Sequence, residues 1–171
     1  MDELSLIASG QSGALMRQRF DALGDAVTVS AASGAEALAA SVDADGALPG
    51  GRCCRVRWRS LRDNGAVKLT WAFPPLDLTG RKFLLWVKPA ATLPYFTVNV
   101  MDASGRRIER HTWYSVSGGD WQVLKWWTGV KTFDNSFEAS AAADRTKAAS
   151  IVFSPGGGSA MECELAIGQL E

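Results

Sequence analysis

Val67-Lys-Leu-Thr-Trp-Ala-Phe73 sends Val67, Leu69, Trp71 and Phe73 to one side of an extended chain, and Lys68, Thr70 and Ala72 to the other. Successive side chains of a strand point to opposite faces, so this period of two predicts a β-strand with one buried face. Working outward, Cys54-Arg-Val-Arg-Trp-Arg59 repeats the pattern, with Cys54, Val56 and Trp58 facing in and three arginines facing out. Phe83-Leu-Leu-Trp-Val-Lys88 is more uniformly apolar and reads as a central strand, while Phe96-Thr-Val-Asn-Val-Met101 alternates with Asn99 opposite the core face. Val27–Ser30, Ile108–Tyr114, Trp121–Trp126, Ile151–Phe153 and Glu162–Leu170 read as further strands.

Turn chemistry punctuates the runs: Asp63-Asn-Gly65, Ser104-Gly105, Gly118-Gly119 and Pro155-Gly-Gly-Gly158. The stretch 136–149 is alanine-rich and reads either as one short helix or as a loop with a single helical turn. About nine or ten short strands at regular spacing predict an all-β fold, an antiparallel sandwich. The whole of 1–171 reads as a single domain, with residues 1–16 a candidate flexible linker or lead-in.

Composition narrows the function. The 171 residues are 47% hydrophobic and 21% charged, the balance of a globular domain rather than a disordered one. Eighteen lysines and arginines meet eighteen aspartates and glutamates, so the basic excess of a nucleic-acid binder is missing. No apolar run is long enough to span a bilayer. Met1-Asp-Glu-Leu-Ser-Leu-Ile7 lacks the basic and apolar regions of a signal peptide, which leaves a cytoplasmic protein or a segment of a longer one. With a single histidine, three cysteines and no Cys-x-x-Cys spacing, a structural zinc site is close to excluded.

Four stretches in order resemble a known family. They are Phe73-Pro-Pro-Leu-Asp-Leu-Thr-Gly80 followed by Lys82–Lys88; Val98-Asn-Val-Met-Asp-Ala-Ser-Gly105; Gly119-Asp-Trp-Gln-Val-Leu124; and Ala143-Asp144 through Ala149–Phe153 to Glu164-Leu-Ala-Ile-Gly-Gln-Leu170. From about Gly50 onward this is similar to the galactose-binding-domain-like jelly rolls. The likeness is greatest to carbohydrate-binding modules of secreted polysaccharide-degrading enzymes. The resemblance implies a jelly-roll module that binds a polysaccharide or oligosaccharide on its concave face. It also implies a covalently linked catalytic domain, a secreted or cell-surface setting, and a monomer that needs no cofactor.

Sugars are held by aromatic faces and a few aimed polar groups. Seven tryptophans stand against two tyrosines. Trp58 and Trp71 are in phase with valine and leucine and read as core, and Trp121 matches a structural position of the family. Trp86 is out of phase with Phe83, Leu85 and Val87. If Ile108 points inward, Glu109, His111 and Trp113 share the opposite face, with Asn99 beside them. The expected ligand set is therefore Trp86, Trp113 and Trp126 for stacking, and Arg57, Asn99, Glu109, His111 and Tyr114 for polar contacts. A solvated strand face without a ligand is the plainer reading of the same pattern.

Catalysis finds less support. There is no Gly-x-Ser-x-Gly elbow, and a carboxylate pair of Glu109 with Asp102 or Glu138 is not singled out by its spacing. A small jelly-roll lyase acting through Tyr114 or His111 with Arg110 is one alternative function. A structural accessory domain, docking through Trp126-Trp127, is the other. Asp43-Ala-Asp45-Gly46 offers oxygen ligands at a glycine turn. The resemblance adds Asp21, so Asp21, Asp43 and Asp45 are the candidates for a structural calcium. It removes a final-strand carboxylate, because Ile167-Gly168 stands where relatives carry paired aspartates. The family arrangement also brings Cys54 near Cys163, so the cysteines are read either as a Cys54–Cys163 bridge with Cys53 free or as three reduced thiols.

Overall fold

A computed structural model describes residues 18–20, 23–24, 26–32, 34–45, 48, 51–63, 65–132 and 135–170. Among them lie eleven strands. They are β1 (Val27–Ala31), β2 (Ala35–Ala44), β3 (Arg52–Ser60), β4 (Gly65–Leu76), β5 (Lys82–Pro89), β6 (Leu93–Asp102), β7 (Arg107–Val116), β8 (Gln122–Trp127), β9 (Ser136–Ala139), β10 (Ala148–Gly157) and β11 (Met161–Leu170). They form two antiparallel sheets, one ordered β1-β4-β10-β6-β7-β9 and one ordered β2-β3-β11-β5-β8. The alternation expected of β3, β4, β5 and β6 holds: Val56, Trp58, Leu69, Trp71, Leu85, Val87, Val98 and Val100 are buried in one core between the sheets.

The expectation for β7 fails at one residue. Val100 of β6 pairs with Glu109, but Met101 pairs with Arg107, so Ile108 is an extra residue with no partner across the ladder. Such a bulge shifts the alternation by one. Ile108 and Glu109 both turn inward, followed by His111 and Trp113. Arg110 and Tyr114 then fall on the outer face, with Tyr114 70% exposed and Trp113 only 5%.

The alanine-rich stretch is not a helix. It supplies edge strand β9, paired with β7, and a 3-10 turn at Arg145–Lys147 that the Asp144 side chain caps through the Thr146 N–H. β2, another alanine-rich run, is an edge strand whose pairing with β3 breaks between Glu36 and Ala39, where Ala37 takes a positive φ of 51°. Pro155-Gly-Gly157 belongs to β10 rather than to a turn.

The cysteine bridge does not form. On the β3–β11 ladder Cys163 faces Trp58, whereas Cys54 faces Ile167, four residues further along. That offset is about 13 Å of strand, beyond the reach of a disulfide. Cys53, Cys54 and Cys163 are all buried free thiols. Burial pushes the thiol of Cys54 up to about 12 and that of Cys163 up to about 11.

Candidate functional site

The expected ligand residues separate into three places. Trp113, Trp126, Glu109 and His111 are in the core. Trp126 stacks on Phe83 at 4.9 Å, and Trp113 packs edge-on against Trp126 at 5.9 Å. His111 Nε2 meets Glu109 Oε1 at 2.9 Å and its Nδ1 meets Asn135 Oδ1 at 3.1 Å, while the Gly129 N–H donates to Glu109 Oε2 at 2.7 Å. Buried polar groups are costly unless paired, and the Glu109 carboxylate and His111 imidazole are, while the Trp126 indole N–H is buried without a partner. This cluster ties β7 to the loop before β9, and with none of its side chains reaching solvent it cannot meet a glycan.

Arg57 and Trp86 lie on the outer face of the five-stranded sheet. Trp86 is half-buried with Trp121 over Leu48, Cys53 and Ala166. The arginines of β3 are matched there by acids. Arg55 pairs with Asp43 and Glu164 at 2.6 Å each, Arg57 pairs with Glu164 at 2.6 Å, and Arg59 reaches Glu36 and Glu162 at 3.8 and 3.6 Å. Hydrogen bonds from these guanidiniums, Arg55 for Asp43 and Arg57 first for Glu164, hold both carboxyls below the usual range.

The calcium expectation does not fit this arrangement. Asp43 Oδ2 accepts from the Arg55 guanidinium and Oδ1 from Ser41 Oγ, while Asp45 Oδ2 accepts from the Trp121 indole at 3.3 Å. Among the described residues no group of three or more His, Cys, Asp or Glu is placed to hold a metal ion. Asp21 lies outside the described residues.

Asn99 and Tyr114 are the two expected residues on the outer face of the six-stranded sheet, and there a groove of about 550 Å³ opens. Its floor is built rung by rung across four strands. Arg110 of β7 pairs with Asn99 of β6, then Val152 of β10, then Thr70 of β4. Two residues along, Thr112, Thr97 and Ser154 share a rung; two further, Tyr114, Tyr95, Gly156 and Ala66 do. Arg110 Nε donates to Asn99 Oδ1 at 3.0 Å, and the Thr97 and Thr112 hydroxyls lie 3.3 Å apart. Lys68, Met101, Arg107, Arg62 and Ala32 complete the lining, which does not include Tyr114.

Gly156 gives the groove its aromatic platform. A Cβ at this position would overlap the Tyr95 ring and lie 2.5 Å from its hydroxyl oxygen, so glycine is what lets the ring lie down across β10. Burial pushes the Tyr95 phenol up from its ordinary value. Tyr95, Lys68 and Arg107 are not among the residues expected from the sequence, and Arg110 is expected only as a partner in the lyase alternative. The signal for Lys68 and Tyr95 is the polar parity of β4 and β6, with Lys68 and Thr70 on one strand and Tyr95, Thr97, Asn99 and Met101 on the other.

No protein-family model matches the chain, and no curated protein does. Solved structures do. The chain is similar to the family 11 carbohydrate-binding module of the cellulosomal cellulase Lic26A-Cel5E of Clostridium thermocellum, at 14% identity and a TM-score of 0.61 over 92% of this chain and 95% of that one. A carbohydrate-binding module described as one of the β-sandwich superfamily matches at 12% identity and a TM-score of 0.61, over 86% of this chain and 56% of that one, so the chain spans little more than half of that protein. An agarase matches at 12% identity and a TM-score of 0.57, over 91% of this chain but 24% of the enzyme. At these identities the likeness establishes the fold, the antiparallel jelly-roll sandwich of carbohydrate-binding modules.

Proposed function

We propose that this chain is a non-catalytic carbohydrate-binding module. Its groove across β4, β10, β6 and β7 takes a stretch of polysaccharide or oligosaccharide and holds a linked enzyme to it, in a secreted or cell-surface setting. The observation that carries the reading is the groove itself: an open trough with the Tyr95 ring on one rung and hydroxyl, amide and guanidinium groups on the next two. Ring faces supply stacking area for sugar C–H patches and the polar rungs fix orientation, the division of labour of a sugar site. The solved neighbours support the reading, because the same sandwich serves as carbohydrate-binding modules in them and occupies only a fraction of an agarase chain.

Both competing readings lose their residues. A lyase acting through His111 has its base buried in the core. One acting through Tyr114 with Arg110 has them four residues apart on one strand, about 13 Å. An accessory domain docking through Trp126-Trp127 would need an apolar patch. Trp126 is buried, and the Lys82 ammonium covers the Trp127 ring at 5.2 Å.

Affinity gel electrophoresis against plant, algal and microbial polysaccharides tests the proposal. Retardation by at least one glycan, lost in Tyr95→Ala while the protein still melts cooperatively, is the expected result. Passage through every glycan gel unretarded would overturn it.

A further inference from the structure

Resting on that reading, we infer that the groove selects anionic glycans, chains whose rings carry carboxylate or sulfate groups. Charge is segregated between the two outer faces of this sandwich. The chain as a whole is neutral, and on the five-stranded sheet each of Arg55, Arg57 and Arg59 meets an acid of β2 or β11. The groove face is different. Four cationic side chains line it, Arg62, Lys68, Arg107 and Arg110, and among the described residues no aspartate or glutamate does. One carboxylate stands at the edge, Glu138 of β9, and Arg107 and Arg110 share it at 3.4 and 3.9 Å. Lys68 has no ion pair among the described residues.

The hydrogen-bonding inventory points the same way. A neutral sugar hydroxyl both donates and accepts, so a site built for it needs acceptors as well as donors. The one amide acceptor of the central rungs, Asn99 Oδ1, already accepts one hydrogen bond, from Arg110 Nε. The charged groups of the groove, one ammonium and three guanidiniums, can only donate, whereas the hydroxyls beside them can do either. Guanidinium and ammonium groups match carboxylate and sulfate oxygens with short, charge-assisted hydrogen bonds. Lys68 and Arg110 stand on strands separated by β10 and β6, about 14 Å or more apart. That is the spacing of the strands, and it lets cations set across the groove meet different sugars of one chain.

Calorimetry on the whole chain tests this with oligogalacturonate, a sulfated galactan oligosaccharide, and the carboxyl-reduced, neutral form of the first, at about 50 and about 500 mM salt. Oligogalacturonate or the sulfated galactan, and which one identifies the anion, is expected to bind at least about tenfold tighter than the neutral chain at low salt. That advantage should shrink at high salt. Lys68→Gln and Arg107→Gln, both at solvent-exposed charges, should each cut it several-fold without moving the melting temperature. Neutral and anionic chains bound equally would overturn the inference while leaving the glycan-binding reading intact; no binding to any of the three, with no retardation in the neutral-glycan gels, would sink both. Polyacrylate or single-stranded DNA held as tightly as oligogalacturonate would reduce the groove to an ion exchanger and overturn the inference as well.

Discussion

Replacing Gly156 with alanine separates the groove from the fold that carries it. The backbone at Gly156 does not require glycine, since it is absent from the positive-φ positions. The obstacle is the Tyr95 ring, whose hydroxyl oxygen would sit 2.5 Å from the new Cβ and whose carbons would sit nearer still. Carbon contacts are comfortable at about 3.5–4.0 Å, so the ring has to rise by more than about 1 Å. A tyrosine can do so by turning about its side-chain torsions, at a cost of about 0.5–1.5 kcal/mol if it leaves a staggered rotamer. The protein should therefore fold, with a melting temperature within about 5 °C of the parent at 2–4 °C per kcal/mol. Binding should suffer more. Loss of one aromatic platform costs about 1–3 kcal/mol in stacking on nucleobases, and a similar loss here weakens glycan binding by about 5- to 150-fold. The assay is calorimetry with the best glycan of the gel panel, beside a thermal melt. Unchanged affinity and an unchanged melt together would refute the placement of Tyr95 in the site.

Trp113→Ala, in the core between Phe96 and Trp126, should cost about 3–5 kcal/mol and lower the melting temperature by roughly 10 °C or more; a melt like the parent's would put Trp113 back on the surface. Glu109→Ala leaves His111 and the Gly129 N–H without their buried acceptor and should destabilise by about 3–5 kcal/mol, read by urea denaturation, with no midpoint shift counting against the cluster. Asp102 accepts from the Asp144, Ser104 and Arg106 N–H groups and the Ser104 hydroxyl, which bring its pKa down from 3.8 to about 2. A lowered carboxyl stabilises the fold above its unfolded value, so that contribution is complete above about pH 4 and disappears between about pH 4 and 2; Asp102→Asn should flatten this acid limb of the melting curve, and an unaltered limb would refute the assignment. A thiol reagent at pH 8 should find no reactive cysteine in the native protein and three after denaturation; fewer than three would mean a disulfide.

Legibility in the sequence followed the regularity of the strands. β3, β4 and β6 keep strict parity, so their buried faces, and with them the sandwich, could be read from residues such as Leu69, Trp71 and Val98. β2 could not. Its alanines carry no alternation, its exposed edge position imposes none, and the break at Ala37 would have scrambled it in any case. At the site a single bulge residue, Ile108, decided the outcome. A period-two argument run from Ile108 places Glu109, His111 and Trp113 on the ligand face. The extra residue inverts that assignment and brings Arg110 and Tyr114 out instead. The inserted residue is visible only in the pairing of β7 with β6, a non-local property that no pattern within residues 107–114 encodes. Trp126 failed for a simpler reason. It shares parity with Leu124 and belongs to the core by the same rule that worked for Trp71. The glycines misled in the opposite direction, since Gly156 reads as a turn but serves as a seat for a ring on a neighbouring strand.

The most direct measurement is an amide NMR titration of the isotope-labelled chain with a soluble oligosaccharide of the glycan that retards it. Saturable shifts should gather on the outward residues of β6, β7, β10 and β4, around Tyr95, Asn99, Arg110 and Lys68, with the amides of β3 and β11 unmoved. Shifts gathered instead around Arg57 and Trp86 would place the ligand on the other sheet and contradict the claim that this groove is the glycan site.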